Sequence, residues 1–168
     1  MSDRRSPKRR SAPAKVNPRG YTSKQMGDAC EMLVAGELTL AGIPALRVPD
    51  TWPRFDVIAE KPDGSLHRIS VKSRTKRRGG FINFEPSGFD WLAVVLLENN
   101  HHLFFIVPRE VVATDELSRA RTPSQIERSP GSRSIPLTAT YLKRLLRFED
   151  NFKLESNVAT LGTVKSGH

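Results

Sequence analysis

The sequence has a single cysteine, Cys30, in 168 residues. That excludes a disulfide scaffold and a cysteine-ligated zinc cluster, and makes the cytoplasm the default compartment. Long hydrophobic runs are also missing. The longest fully apolar stretch, Trp91 to Leu97, falls far short of the roughly 20 residues that span a bilayer. The N-terminus is basic but no apolar core region follows it, so it does not read as a secretory signal. No internal repeat is present. Acidic charge is scarce as well: 18 Asp and Glu stand against 27 Lys and Arg, a net +9. That balance favours a polyanionic partner such as nucleic acid. A chain of this length has room for one hydrophobic core.

The positive charge is concentrated. Residues 1–20 hold seven basic groups (Arg4, Arg5, Lys8, Arg9, Arg10, Lys15, Arg19) against one acid, Asp3, a net +6. With Pro7, Pro13 and Pro18 and almost nothing large and apolar, the segment cannot offset its ordering entropy and reads as a disordered basic arm. Such an arm serves either as a phosphate clamp or as a solubilising tail. A second run, Lys72-Ser73-Arg74-Thr75-Lys76-Arg77-Arg78, leaves directly from a predicted strand, so the fold fixes its position. Arg74, Lys76, Arg77 and Arg78 are therefore the candidate nucleic-acid contacts.

The expected folded domain covers 21–155, with 156–168 as a flexible tail. Apolar residues recur at helical spacing from Lys24 to about Ala41, and Gly42 supplies a stop. Ala45 to Val48 reads as a short extended piece, and Arg54 to Glu60 and Leu66 to Lys72 as two strands. Phe81 to Phe84 is a further short strand. Trp91 to Glu98 and Leu103 to Val107 form a second hairpin, buried on both faces. A helix is expected from Pro108 to about Leu117, a long loop from Arg119 to Pro136, and a basic amphipathic helix over Ala139 to Phe148. These elements predict an α/β protein with a central mixed sheet flanked by helices.

The first hairpin is the most informative stretch. A three-residue loop, Pro62-Asp63-Gly64, in a type I turn with a glycine bulge pairs Lys61 with Ser65, and hence Asp56 with Ser70. Alternation then places Asp56, Ser70 and Lys72 on one face, with Lys72 the diagonal neighbour of Asp56. A two-residue loop would send Asp56 to the other face, so the inference rests on register. A carboxylate and a lysine converging on one face suit phosphodiester hydrolysis. Carboxylates hold Mg²⁺, which neutralises a scissile phosphate and activates water, and a lysine stabilises the developing charge. An ordinary cross-strand ion pair is the competing explanation.

Phe55-Asp56-Val57-Ile58, the Pro-Asp-Gly turn and Ile69-Ser70-Val71-Lys72 together resemble the core of the PD-(D/E)XK nuclease superfamily, nearest its small archaeal-resolvase-like and intron-endonuclease-like members. Upstream, Gly27-Asp28-Ala29-Cys30-Glu31 resembles their first helix. Downstream, Phe89 to Val95 and Phe104 to Pro108 resemble later core strands, so the similarity runs from about Met26 to Pro108. The resemblance implies a restriction-endonuclease-like core and a metal-dependent DNA endonuclease using Mg²⁺ or Mn²⁺. It implies Asp56 as a metal ligand, Lys72 as the catalytic lysine and Glu31 as an accessory ligand, with the Val71 carbonyl beside the metal. Many relatives act as homodimers. One position departs: Ser70 stands where the family has an acid or Gln, and serine is a poor Mg²⁺ ligand.

On the helical wheel, Glu37 falls near the centre of a stripe formed by Met26, Leu33 and Leu40, while Glu31 falls on its flank. The wheel nominates Glu37 and the family pattern nominates Glu31. Asp50 also spells "PD" with Pro49, but no strand pattern holds it beside Ser70, so Asp56 is preferred. His101-His102 reads as a polar turn, Cys30 as core, and Trp52 either as a base-stacking residue or as packing. Two further readings compete with the endonuclease. One is a catalytically inactive nucleic-acid-binding protein on a nuclease scaffold, and the other an interaction protein whose basic surface meets an acidic partner.

Overall fold

A computed structural model describes residues 20–75, 79–98, 101–121 and 131–156. The basic arm, Lys76, Arg77, Arg78, the Asn99-Asn100 turn and nearly all of the expected tail lie outside the described residues. The first helix, α1 (Ser23–Leu40), opens on a capping box. The Thr22 hydroxyl accepts from the Gln25 N–H at 3.2 Å, and the Gln25 side chain accepts from the Thr22 N–H at 2.9 Å. These two bonds satisfy N-terminal donors that the helix cannot. Gly42, at φ +88°, ends it with the Ile43 N–H returning to the Leu38 carbonyl at 2.9 Å.

Five strands make the central sheet: β1 (Ala45–Arg47), β2 (Val57–Glu60), β3 (Leu66–Arg74), β5 (Trp91–Leu97) and β6 (His102–Pro108). Their order is β1-β2-β3-β5-β6. All neighbours are antiparallel except β3 and β5, which are parallel. The parallel pair needs a crossover, and that crossover carries β4 (Phe81–Phe84) out of the sheet. The Arg68 guanidinium pins the start of β5 with two bonds to the Asp90 carboxylate, at 2.9 and 3.1 Å. The hairpin register is the expected one. Val57 faces Ile69 and Glu60 faces Leu66, Lys61 N–H donates to the Ser65 carbonyl, and Gly64 takes φ +81°.

β5 is buried along its whole length, as its continuous apolar run requires. Its odd residues and those of β3 (Ile69, Val71, Trp91, Ala93, Val95) pack under α1 against Cys30, Val34 and Leu38. Its even residues (Leu92, Val94, Leu96) pack against a second layer. Burying each such aliphatic side chain contributes about 1.5–3 kcal/mol.

That second layer corrects two expectations. The segment expected to be a loop from Arg119 to Pro136 contains β7 (Arg119–Ala120) and β8 (Arg133–Pro136), which join β4 in a three-stranded sheet ordered β4-β8-β7. The helix expected from Pro108 to Leu117 is only α2 (Arg109–Val112); turns then lead to β7. The last helix, α3 (Ala139–Leu145), closes with a 3₁₀ turn at Leu146–Phe148. Among the described residues, no helix is long and apolar enough to cross a membrane.

Candidate active site

Asp56 lies just before β2, where the chain joins β1 and β3. Its carbonyl accepts from the Val48 N–H at 3.0 Å and its own N–H donates to the Ile69 carbonyl at 2.9 Å. The backbone is thus fixed from both sides, and the carboxylate turns onto β3. Oδ2 accepts from the Val71 N–H at 2.6 Å and from the Ser70 hydroxyl at 3.4 Å. Oδ1 has no partner among the described residues. Ser70 is buried. Val71 packs into the core under α1, so alternation puts Ser70 and Lys72 on the other face of β3, about 7 Å apart along the strand. Lys72 is half-buried and makes no ion pair or hydrogen bond among the described residues.

Glu31 approaches from α1. The buried stripe of that helix is Cys30, Val34 and Leu38, with Met26 partly buried against the same core; Leu33 and Leu40 lie off it, and Leu40 is 84% exposed. Glu31 is half-buried on the flank of the true stripe. Burial raises its pKa, the bond from Arg47 opposes this, and the negative charge of Asp56 raises it further.

Arg47, from β1, organises the acids around Glu31. Its Nε lies 2.5 Å from Glu31 Oε2, and its Nη2 lies 2.8 Å from Asp28 and 2.5 Å from Asp50. Lys24 adds 3.0 Å to Asp28 and 2.7 Å to Asp50. Carboxylate oxygens of Asp28, Glu31 and Asp50 all fall within 4.8 Å of one another, and these two cations offset two of the three charges. Sequence reasoning set Asp50 aside and gave Asp28 and Arg47 no role. The i,i+3 spacing of Asp28 and Glu31 is a legible sign that both share a helix face, whereas the turn that returns Asp50 to α1 carries no such periodicity.

Arg74, at the end of β3, donates through Nε to the Phe81 carbonyl at 3.1 Å. Trp52 packs edge-on against Phe55 with ring centroids 5.6 Å apart and stays about half exposed. Cys30 is core, and burial raises its thiol pKa, with a bond to Ser73 opposing. His101 lies 3.3 Å from Glu98.

No protein-family model matches the chain, and no curated protein matches it. Among solved structures, a bacterial homing endonuclease matches over 79% of this chain and 90% of its own, with 18% identity and a TM-score of 0.51. At that identity the likeness is one of fold: this chain is a mixed α/β protein with a central five-stranded mixed sheet and flanking helices.

Proposed function

We propose that the chain is a metal-dependent DNA endonuclease of the PD-(D/E)XK type that hydrolyses phosphodiester bonds. The observation that supports this reading is the bond from Ser70 to Asp56 across one hairpin, with Lys72 on the same face of β3, in a fold similar to that of a homing endonuclease. The donors suit a hard cation. Asp56 Oδ1 has no partner among the described residues, and Arg47 engages only Oε2 of Glu31. One or two carboxylates with waters filling the remaining positions is how Mg²⁺ is commonly held.

Asp56 and Glu31 would be the metal ligands. Mg²⁺ or Mn²⁺, when bound, supplies neutralisation of the scissile phosphate and an acidified water. Ser70 and the Val71 N–H orient Asp56 by occupying Oδ2, which leaves Oδ1 for the ligand. The Lys72 ammonium hydrogen-bonds a phosphate oxygen or the attacking water and offsets the negative charge that develops in the transition state. Arg74, with Lys76, Arg77 and Arg78, binds the DNA backbone.

Incubating the protein with plasmid, branched and single-stranded DNA in Mg²⁺ or Mn²⁺ tests the reading. Wild type should cut at least one, and Asp56→Ala and Lys72→Ala should not. Absence of cutting by wild type, or equal cutting by the variants, would refute it. One observation favours a second reading, a non-catalytic nucleic-acid-binding protein: Ser70 supplies no charge where the family has an acid. That protein would bind DNA without metal, with affinity falling steeply as salt rises.

A further inference from the structure

On the second sheet, Phe81 and Asn83 of β4 and Ser134 of β8 share a face turned away from Ile82, Phe84 and Ile135; Pro136, opposite Phe81, is its buried end. In β4, Ile82 and Phe84 point into the core while Phe81 and Asn83 are exposed. Register places Asn83 opposite Ser134 in β8, and Ser134 opposite Arg119 in β7. Three hydrogen-bonding residues thus occupy one row across three strands. The side chains of Asn83 and Ser134 have no partner among the described residues, and Phe81 is 54% exposed on the same face as Asn83. Cations border the row. Arg119 is exposed, with its Nε held by the Tyr141 hydroxyl at 2.8 Å. Arg74 reaches the edge of β4 from β3. The acid adjoining β4, Glu85, lies 3.8 Å from Arg54.

We propose that this outward face of β4 and β8 reads base edges in the major groove of duplex DNA. The inference rests on the proposal that the chain acts on DNA. Neighbouring strands lie about 4.8 Å apart, so the row from Asn83 to Arg119 spans about 10 Å, within a major groove about 12 Å wide that admits a β-ribbon. The side-chain chemistry fits. Asn pairs with the N6 and N7 edge of adenine, Ser bonds to any base, and an exposed Phe packs on a thymine methyl. Arg119, at the end of the row, and Arg74, beside it, serve as phosphate contacts, which position without specifying. A protein partner would be met by an apolar centre, whereas here the central side chains are Asn and Ser. Arg74 also couples this face to the candidate active site. It stands two residues after Lys72 and holds the Phe81 carbonyl, so one duplex can engage both.

Selection from a pool of short DNA duplexes with a randomised centre tests this, using wild type, the double variant Asn83→Ala/Ser134→Ala, and Arg74→Ala. Both alanines of the double variant replace polar side chains without partners among the described residues, so its thermal unfolding should match wild type. Wild type should enrich a sequence motif. The double variant should lose preference at one or two positions and bind the enriched duplex about tenfold more weakly, with its affinity for a scrambled duplex unchanged. Arg74→Ala should weaken binding to both duplexes alike and reduce the salt slope by about one. The inference is overturned if the double variant enriches the same motif with the same affinity, if wild type binds duplexes without preference, or if an RNA duplex of the enriched sequence binds equally well. Each of those outcomes leaves the endonuclease reading standing. Failure of wild type to bind any duplex also overturns the inference, whereas the endonuclease reading falls only if wild type cuts none of the plasmid, branched and single-stranded substrates.

Discussion

The carboxylate of Asp56 takes the backbone N–H of Val71 at 2.6 Å, one residue before Lys72. This bond closes the β2–β3 ladder where the two strands part and sets the direction of the acid. Val71 is buried, so losing its acceptor leaves an unsatisfied donor. Asp56→Ala should cost about 1–3 kcal/mol in urea unfolding. Asp56→Asn, which keeps a carbonyl acceptor, should stay within about 1 kcal/mol of wild type. Equal destabilisation by both would show that the bond does not orient this residue.

Ser70 donates its hydroxyl to the same Asp56 oxygen at 3.4 Å and is only 4% exposed. Ser70→Glu places a second buried carboxylate against the first. Without divalent metal it should destabilise the fold by about 2 kcal/mol or more. Added Mg²⁺ should recover much of the loss, because a ligand that binds only the folded state stabilises it. Thermal unfolding with and without Mg²⁺ reads both effects, and DNA cutting should rise. A variant whose melting ignores Mg²⁺ would argue against a cation at Asp56.

Arg47 binds Glu31, Asp28 and Asp50 together. Arg47→Met leaves Lys24 as the counterion of the cluster, held by Asp28 and Asp50 but not by Glu31. The variant should melt at a lower temperature than wild type. Adding Glu31→Gln removes one of the acids left unbalanced and should restore part of the loss, a coupling that a double-mutant cycle isolates. Additive effects would mean that the Arg47–Glu31 contact contributes nothing to folding.

The Trp91 indole N–H donates to His67 Nδ1 at 3.1 Å. An indole only donates, so Nδ1 holds a lone pair and the imidazole proton sits on Nε2, facing the Ser65 hydroxyl at 3.0 Å. Burial lowers the His67 pKa, Lys61 lowers it further, and Asp90 and Asp63 oppose. The fold therefore favours neutral His67. Its contribution is present above the unfolded histidine value, about pH 6.5, and is lost as pH falls through the lower folded value. Wild type should lose more thermal stability than His67→Asn between about pH 7 and pH 5. Trp91 emission, read in a Trp52→Phe background, should shift over the same range. Parallel pH profiles would contradict the assignment.

The parts of this fold that were legible in the sequence are those set by local chemistry. Pro62-Asp63-Gly64 fixes a three-residue loop, and that loop fixed the register bringing Asp56 to Ser70. The apolar run from Trp91 to Leu97 announced a doubly buried strand. Long-range pairing was not legible. Arg119–Ala120 and Arg133–Pro136 are too short and polar to stand out as strands; the second gains its structure from the β4 edge and the first from the second. The α1 stripe was misread because Leu33 and Leu40 match helical spacing as well as Val34 and Leu38 do; only the sheet beneath shows which set is covered. Asp50 reaches α1 through a turn, and pattern reading sees neither that turn nor the Arg47 side chain that secures it.

The rate of plasmid cleavage as a function of Mg²⁺ concentration, measured for wild type, Asp56→Asn, Glu31→Gln and Lys72→Ala, is the most direct test of the proposed centre. Wild type should show a saturable dependence on Mg²⁺. Glu31→Gln should need about tenfold or more additional Mg²⁺ to reach half its maximal rate. Asp56→Asn and Lys72→Ala should cut at least about a hundredfold more slowly at any Mg²⁺ concentration. Cleavage independent of Mg²⁺, or four indistinguishable curves, would contradict a nuclease centre built on Asp56, Glu31 and Lys72.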